Sequence, residues 1–147
     1  MTVQIVRAGV EQLDVLVELF DAYRVFYGRA SDAAGARAFL GDRLRAGESV
    51  AFLAVRGDVA VGFVQLFPTF SSVSMRPIWT LNDLFVVEAA RRVGVARSLL
   101  DAAAALARTT GAACVRLSTG KANEAAKAMY SSSGWHLKDF DQYELLL

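Results

Sequence analysis

The fold turns on Leu81–Ala107, which reads LNDLFVVEAARRVGVARSLLDAAAALA. A strand-like run, Leu81–Val87, precedes a helix-like run that begins at Val95, and Arg91-Arg92-Val93-Gly94-Val95-Ala96 joins them. A turn of this kind exposes the first N–H groups of the helix, which have no intrahelical acceptor, and the helix dipole adds partial positive charge there. An anion such as a pyrophosphate fits such a site when the backbone can approach closely. Gly94 permits that approach and Ala96 adds only a methyl, while Arg91, Arg92 and Arg97 bring positive charge. An ordinary strand-to-helix turn with solvated arginines accounts for the hexamer equally well.

Working outward, VQIVRA (Val3–Ala8) reads as an opening strand. Apolar residues then recur at helical spacing from Val10 to Tyr27, and a second helix is predicted from Asp32 to Arg45. Two β-rich runs flank Gly57-Asp58, a two-residue hairpin signal, and both are apolar on both faces, as strands inside a layered fold are. After a polar loop, SSVSMR, comes a third strand, PIWTLNDLFVV. The helix Val95–Thr109, the strand ACVRLST, a short helix NEAAKAMYSSSG ended by Gly134, and a closing strand FDQYELLL complete the order. This is an α/β (α+β) pattern: a mixed sheet of six to seven strands with helices on both faces, in one domain spanning 1–147.

Composition narrows the function. The chain has 147 residues, 54% hydrophobic and 21% charged, enough for a substantial core, so disorder is not expected. A net charge of +1 gives no global argument for nucleic acid. One cysteine allows no internal disulfide and favours a reducing compartment. The N-terminal stretch lacks a signal-peptide h-region and no apolar run reaches membrane-spanning length, so a cytoplasmic protein is expected. No carboxylate–histidine cluster suggests a metal. Cys114 and the lone His136 are read as structural residues.

A second motif bears on the loop. Asn123, Lys127 and Tyr130 fall at i, i+4 and i+7, on one face of the short helix. Asn123 suits an N-cap, which alone would explain it. Tyr130 can pack, or it can present a phenol of pKa near 10 able to protonate a thiolate. Taken together, R-x-x-G-x-A after a D-L-x-V strand, followed by N-x-x-A-x-x-x-Y-x-x-x-G-W, resembles the GNAT superfamily of acyl-CoA-dependent N-acyltransferases over essentially the whole chain.

The resemblance implies a sheet splayed between its central strands and acetyl-CoA as co-substrate. Amides of Arg92, Val93, Gly94, Val95 and Ala96 would hold its pyrophosphate, with Arg91, Arg97 and Lys127 nearby. Phe85 and Val86 would offer main-chain bonds to the pantetheine arm, and Asn123 would touch it. Tyr130 would act as general acid and Asp83 as base, although Asp83 could equally be a strand residue bonding its surroundings. Strand alternation sets Asp83 opposite Asn82 and Leu84. Related polyamine acetylators often carry Glu-Asp where this chain has Asn82-Asp83, and often a glycine at Arg92. The first helices and the segment Pro68–Trp79 are expected to form the acceptor site, with Tyr23, Tyr27, Trp79 and Asn82 as wall candidates. The implied activity is acetyl transfer to a primary amine of a small diamine, polyamine or amino-acid-like molecule. A protein lysine or N-terminus as acceptor, or a non-catalytic acyl-CoA sensor, are the alternatives, and a homodimer is expected by analogy.

Overall fold

The structure, a computed structural model, describes residues 2–147. They divide into two compact units, one ending at Leu117 and the other spanning Ser118–Leu147.

The larger unit holds one sheet in sequence order: β1 (Val3–Ala8), β2 (Val50–Arg56), β3 (Val59–Ser71), β4 (Arg76–Val86) and β5 (Val115–Arg116). The first three pairings are antiparallel, and β4–β5 is parallel. The hairpin predicted at Gly57-Asp58 joins β2 to β3. Two helices, α1 (Leu13–Phe26) and α2 (Ala33–Arg45), cover one face. Leu16, Val17 and Phe20 of α1 and Leu40 of α2 pack there on Ala51, Leu53 and Phe63. The third helix, α3 (Val95–Thr109), has the bounds expected of it, and Leu99, Leu100 and Ala103 are buried on its inner side. Gly62 faces α3: a methyl there would stand 2.8 Å from the Phe85 carbonyl and 3.4 Å from Leu99 Cδ1. No helix among the described residues is long and apolar enough to cross a membrane.

The expected loop Pro68–Trp79 is instead the outer half of a long hairpin. Pro68 pairs with Trp79 and Phe70 with Pro77, which leaves only residues 72–75 outside the strands. Proline is tolerated there because β2 pairs with β3 no further than Leu66, so the missing N–H of Pro68 lies on an edge.

In β4 the register slips. Gln65 pairs with Asp83 but Leu66 pairs with Leu81, so Asn82 is an extra residue, a β-bulge. The pairing with β5 involves only Trp79 and Thr80, and beyond Thr80 that edge of β4 has no strand beside it. This is the expected splay.

In the smaller unit, Asn123 caps α4 (Glu124–Ser132) by accepting from Ala126 N–H at 3.2 Å. The Trp135 N–H returns to the Tyr130 carbonyl at 3.0 Å and closes the helix as Gly134 predicted. The closing strand is not formed: residues 135–147 carry no assigned strand, so the sheet has five strands rather than six to seven. A strand requires a ladder partner, which the composition of FDQYELLL cannot supply by itself.

Two expectations follow. Gly62→Ala should cost about 1–3 kcal/mol in urea unfolding, because the opposed atom is backbone and cannot rotate away. Asp21 accepts from Ser31 Oγ at 2.6 Å and from the Asp32 N–H at 2.8 Å, tying α1 to the start of α2. The Ser31 and Asp32 bonds, with Arg24 nearby, hold its carboxyl below the usual value against a small opposing effect of burial. A depressed carboxyl stabilises the fold above its unfolded pKa and loses that share as pH falls through the folded value. Unfolding curves taken through the acid range should therefore show a shallower decline below about pH 4 for Asp21→Asn than for the native chain.

Candidate active site

The bulge gathers the polar groups of β4. Asn82 and Asp83 are consecutive, yet Asn82 Nδ2 donates to Asp83 Oδ1 at 3.1 Å, so their side chains lie on one side. Alternation had set them on opposite faces, and the extra residue overturns that. Asp83 is only 4% exposed. Its Oδ2 accepts from Gln65 Nε2 at 2.6 Å, across the β3–β4 pair.

The next pair along, Phe63–Phe85, lies on the same face. Tyr23 of α1 packs on it, with ring centroids 5.7 Å from Phe63 and 6.0 Å from Phe85. Tyr27 stacks edge-on to Tyr23 at 5.0 Å and is 62% exposed. The structure thus brings Tyr23, Tyr27, Asn82 and Asp83 to the α1 face. Trp79 is not among them. The bulge reverses the parity of β4 below Asn82, so Trp79 points to α3, where its Nε1 donates to Thr110 Oγ1 at 2.9 Å and the ring is 9% exposed. It is a core residue and does not line that face.

The edge of β4 is the second feature. Val87 N–H bonds the Val61 carbonyl and the Phe85 carbonyl faces Gly62, so the polar backbone of Phe85 is turned to β3 rather than outward. By alternation, Leu84 and Val86 direct theirs to the edge without a strand beside it. The Val86 carbonyl is taken by Arg91 Nε at 2.8 Å. The Arg91 guanidinium also lies 5.1 Å from the Phe26 ring centroid and 5.8 Å from that of Phe85, which pins the loop to the strand and to α1. Leu84, which the sequence reading missed, is therefore a residue with backbone groups to offer there.

The loop supplies the third. Gly94 is the N-cap of α3 with φ 88°, and a Cβ added there would meet no atom within 4 Å. The first backbone bond of the helix runs from Ser98 N–H to the Gly94 carbonyl at 3.1 Å, so Val95, Ala96 and Arg97 precede any intrahelical acceptor. Arg92 holds φ 65°, a left-handed conformation that explains why glycine suits this position better. A cleft of about 260 Å³ opens beside the helix start, with Arg56, Gly94, Val95 and Ser98 in its walls. Open backbone, a helix N-terminus and the exposed side chains of Arg92 and Arg97 together suit an anion.

In the smaller unit, Lys127 Nζ donates to the Lys121 carbonyl at 3.3 Å and lies 3.6 Å from Glu124 Oε1. The ring of Tyr130 packs 5.9 Å from that of Trp135. Asn123 serves as the helix cap described above.

The model of the acetyltransferase (GNAT) family matches residues 15–135. The chain belongs to that family. It is 48% identical over 120 residues to an uncharacterized N-acetyltransferase, YhfO, of Bacillus subtilis, an alignment covering 82% of this chain and 80% of that one. The crystal structure of a probable acetyltransferase shares 45% identity and a TM-score of 0.92, covering 98% of this chain and 97% of the other. An aminoglycoside N-acetyltransferase, AAC(6')-Iy, solved in complex with CoA, has the same fold with a TM-score of 0.82 at 20% identity, over 99% of this chain and 95% of its own. The protein is an acetyl-transferring enzyme of GNAT type.

In this acetyltransferase, Arg91 and Arg92 should respond oppositely to substitution. Arg91→Ala removes a bond to the Val86 carbonyl and two ring contacts and should lower unfolding stability by about 1–3 kcal/mol. Arg92→Gly relieves a left-handed arginine and should leave stability equal or higher in the same denaturant titration.

Proposed function

We propose that the enzyme transfers the acetyl group of acetyl-CoA to a primary amine of a small acceptor, by direct attack. The observation that carries this reading is Asp83: a carboxylate buried on β4, held by two neutral amides, on the face lined by Tyr23 and Phe85. A carboxylate beside aromatic rings suits a cationic amine. The fold neighbour solved with CoA supports acetyl-CoA as donor. The residues present fit that donor: an open edge at Leu84, an open Gly94 and unbonded amides at the start of α3.

Acetyl-CoA supplies a thioester carbonyl open to a nucleophile. The acceptor reacts as the neutral amine, its ammonium proton having left to solvent, and Asp83 is the group proposed to take the proton that nitrogen sheds as the C–N bond forms. The C–N bond forms as the C–S bond breaks, and the departing sulfur takes its proton from the Tyr130 hydroxyl. Arg92, Arg97 and the amides of Val95 and Ala96 hold the phosphates, while Asn123 and Lys127 are assigned to the cofactor by family resemblance alone. Arg91 acts indirectly, by fixing the loop.

Thiol release from acetyl-CoA tests the proposal against diamines, polyamines, amino acids and a lysine peptide. Turnover with a small primary amine, lowered on the order of 10²-fold in kcat by Tyr130→Phe, is the expected result. No thiol release with any amine would sink the reading, and release confined to the peptide would move the acceptor class to protein lysine.

A further inference from the structure

Gln65 is the polar exception in the apolar middle of β3, and it is 1% exposed. Its Nε2 donates to Asp83 Oδ2 at 2.6 Å. The amide nitrogen donates this bond, which sets the amide with its NH2 toward Asp83 and its oxygen away. Oε1 then lies about 2.3 Å from Nε2 by the amide bond lengths. It is buried and has no hydrogen-bond partner among the described residues. An acceptor left in that state costs about 1–3 kcal/mol unless a donor arrives. Asp83 likewise bonds two neutral amides, and none of the ion pairs among the described residues includes it.

One hydrogen-bonded pair therefore holds two buried acceptors, the Asp83 carboxylate and Gln65 Oε1, and no ion pair among the described residues reaches either. A neutral primary amine has two N–H donors and one lone pair, which complements this arrangement. We infer that Gln65 is a specificity-determining residue for the acceptor: its Oε1 takes one N–H of the substrate amine while Asp83 takes the other. The inference rests on the reading of Asp83 as the carboxylate on the acceptor side. With both N–H groups engaged, the lone pair is left for the thioester carbon. As the C–N bond forms and the C–S bond breaks, the proton from nitrogen passes to Asp83 and Tyr130 protonates the thiolate. Gln65 gains and loses nothing in that step. A neutral secondary amine has only one N–H, so it leaves Oε1 unmet and is disfavoured.

The test compares kcat/KM for 1,4-diaminobutane and its N,N′-dimethyl derivative, and for a lysine peptide with and without an Nε-methyl group. Native enzyme, Gln65→Met and Gln65→Glu are run together, with thermal unfolding to verify the fold. The native enzyme should prefer the primary amine at least about tenfold, the size of one hydrogen bond. Gln65→Met should bring the ratio toward one, and Gln65→Glu, which keeps an acceptor oxygen, should retain most of it. Should Gln65→Met fail to fold, Gln65→Asn, which withdraws the oxygen by one methylene, takes its place. A folded variant that slows both amines equally shows a structural role and overturns the inference, as does an unchanged ratio. Those outcomes leave the proposed function intact, whereas no thiol release from any of the four amines, nor from the polyamines and amino acids of the wider panel, overturns both.

Discussion

The register slip at Gln65 and Leu66, where Asn82 has no partner on β3, divides β4 into halves of opposite parity. Above the slip, Asp83 and Phe85 face α1; below it, Leu81 and Trp79 face α3. The pairing with β5 ends at Thr80, just before the slip. One inserted residue thus coincides with the open edge and turns the carboxamide of Asn82 onto Asp83. A regular strand in this position would have placed Trp79 on the face of Tyr23 and sent Asn82 away from Asp83.

The same strand governs the loop that follows. Because Val86 turns its carbonyl to the open edge, Arg91 can reach back and bond it, and the guanidinium then rests between Phe26 and Phe85. That contact links α1, β4 and the turn into α3. With Arg91 so engaged, the positive charge left to the loop belongs to Arg92 and Arg97, beside the backbone amides at the start of α3. Arg91, expected near the pyrophosphate, bonds the Val86 carbonyl of the preceding strand.

How much of this was legible follows from which signals are local. The hairpin at Gly57-Asp58, the bounds of α3 and the capped helix at Asn123 depend on neighbouring residues, and each could be read from the chain. The bulge has no such mark: Asn82 is neither glycine nor proline, and its extra place exists only relative to β3. The wrong side given to Asn82, the misplaced Trp79 and the missed Leu84 share that one cause. Gln65 left a trace, a lone amide in VAVGFVQLFP, but its meaning required the partner 18 positions away. FDQYELLL failed differently, since its composition suits a strand and does not show whether another strand pairs with it.

The polar cluster on the α1 face has a composition that stability alone would not favour. A buried carboxylate is costly unless well paired, and here the neutral amides of Gln65 and Asn82 donate to it, while the Gln65 amide oxygen is left unmet. An apolar pair at positions 65 and 83 would suit the surrounding layer of Phe63, Phe85 and Tyr23 better. Local rules broken without a structural gain tend to mark sites of use rather than of folding. The cluster also sits where β4 loses its neighbour, so an unmet buried amide oxygen and an open stretch of strand edge occur within a few residues of each other. N–H donors brought to the face and an extended chain laid along the edge would satisfy both.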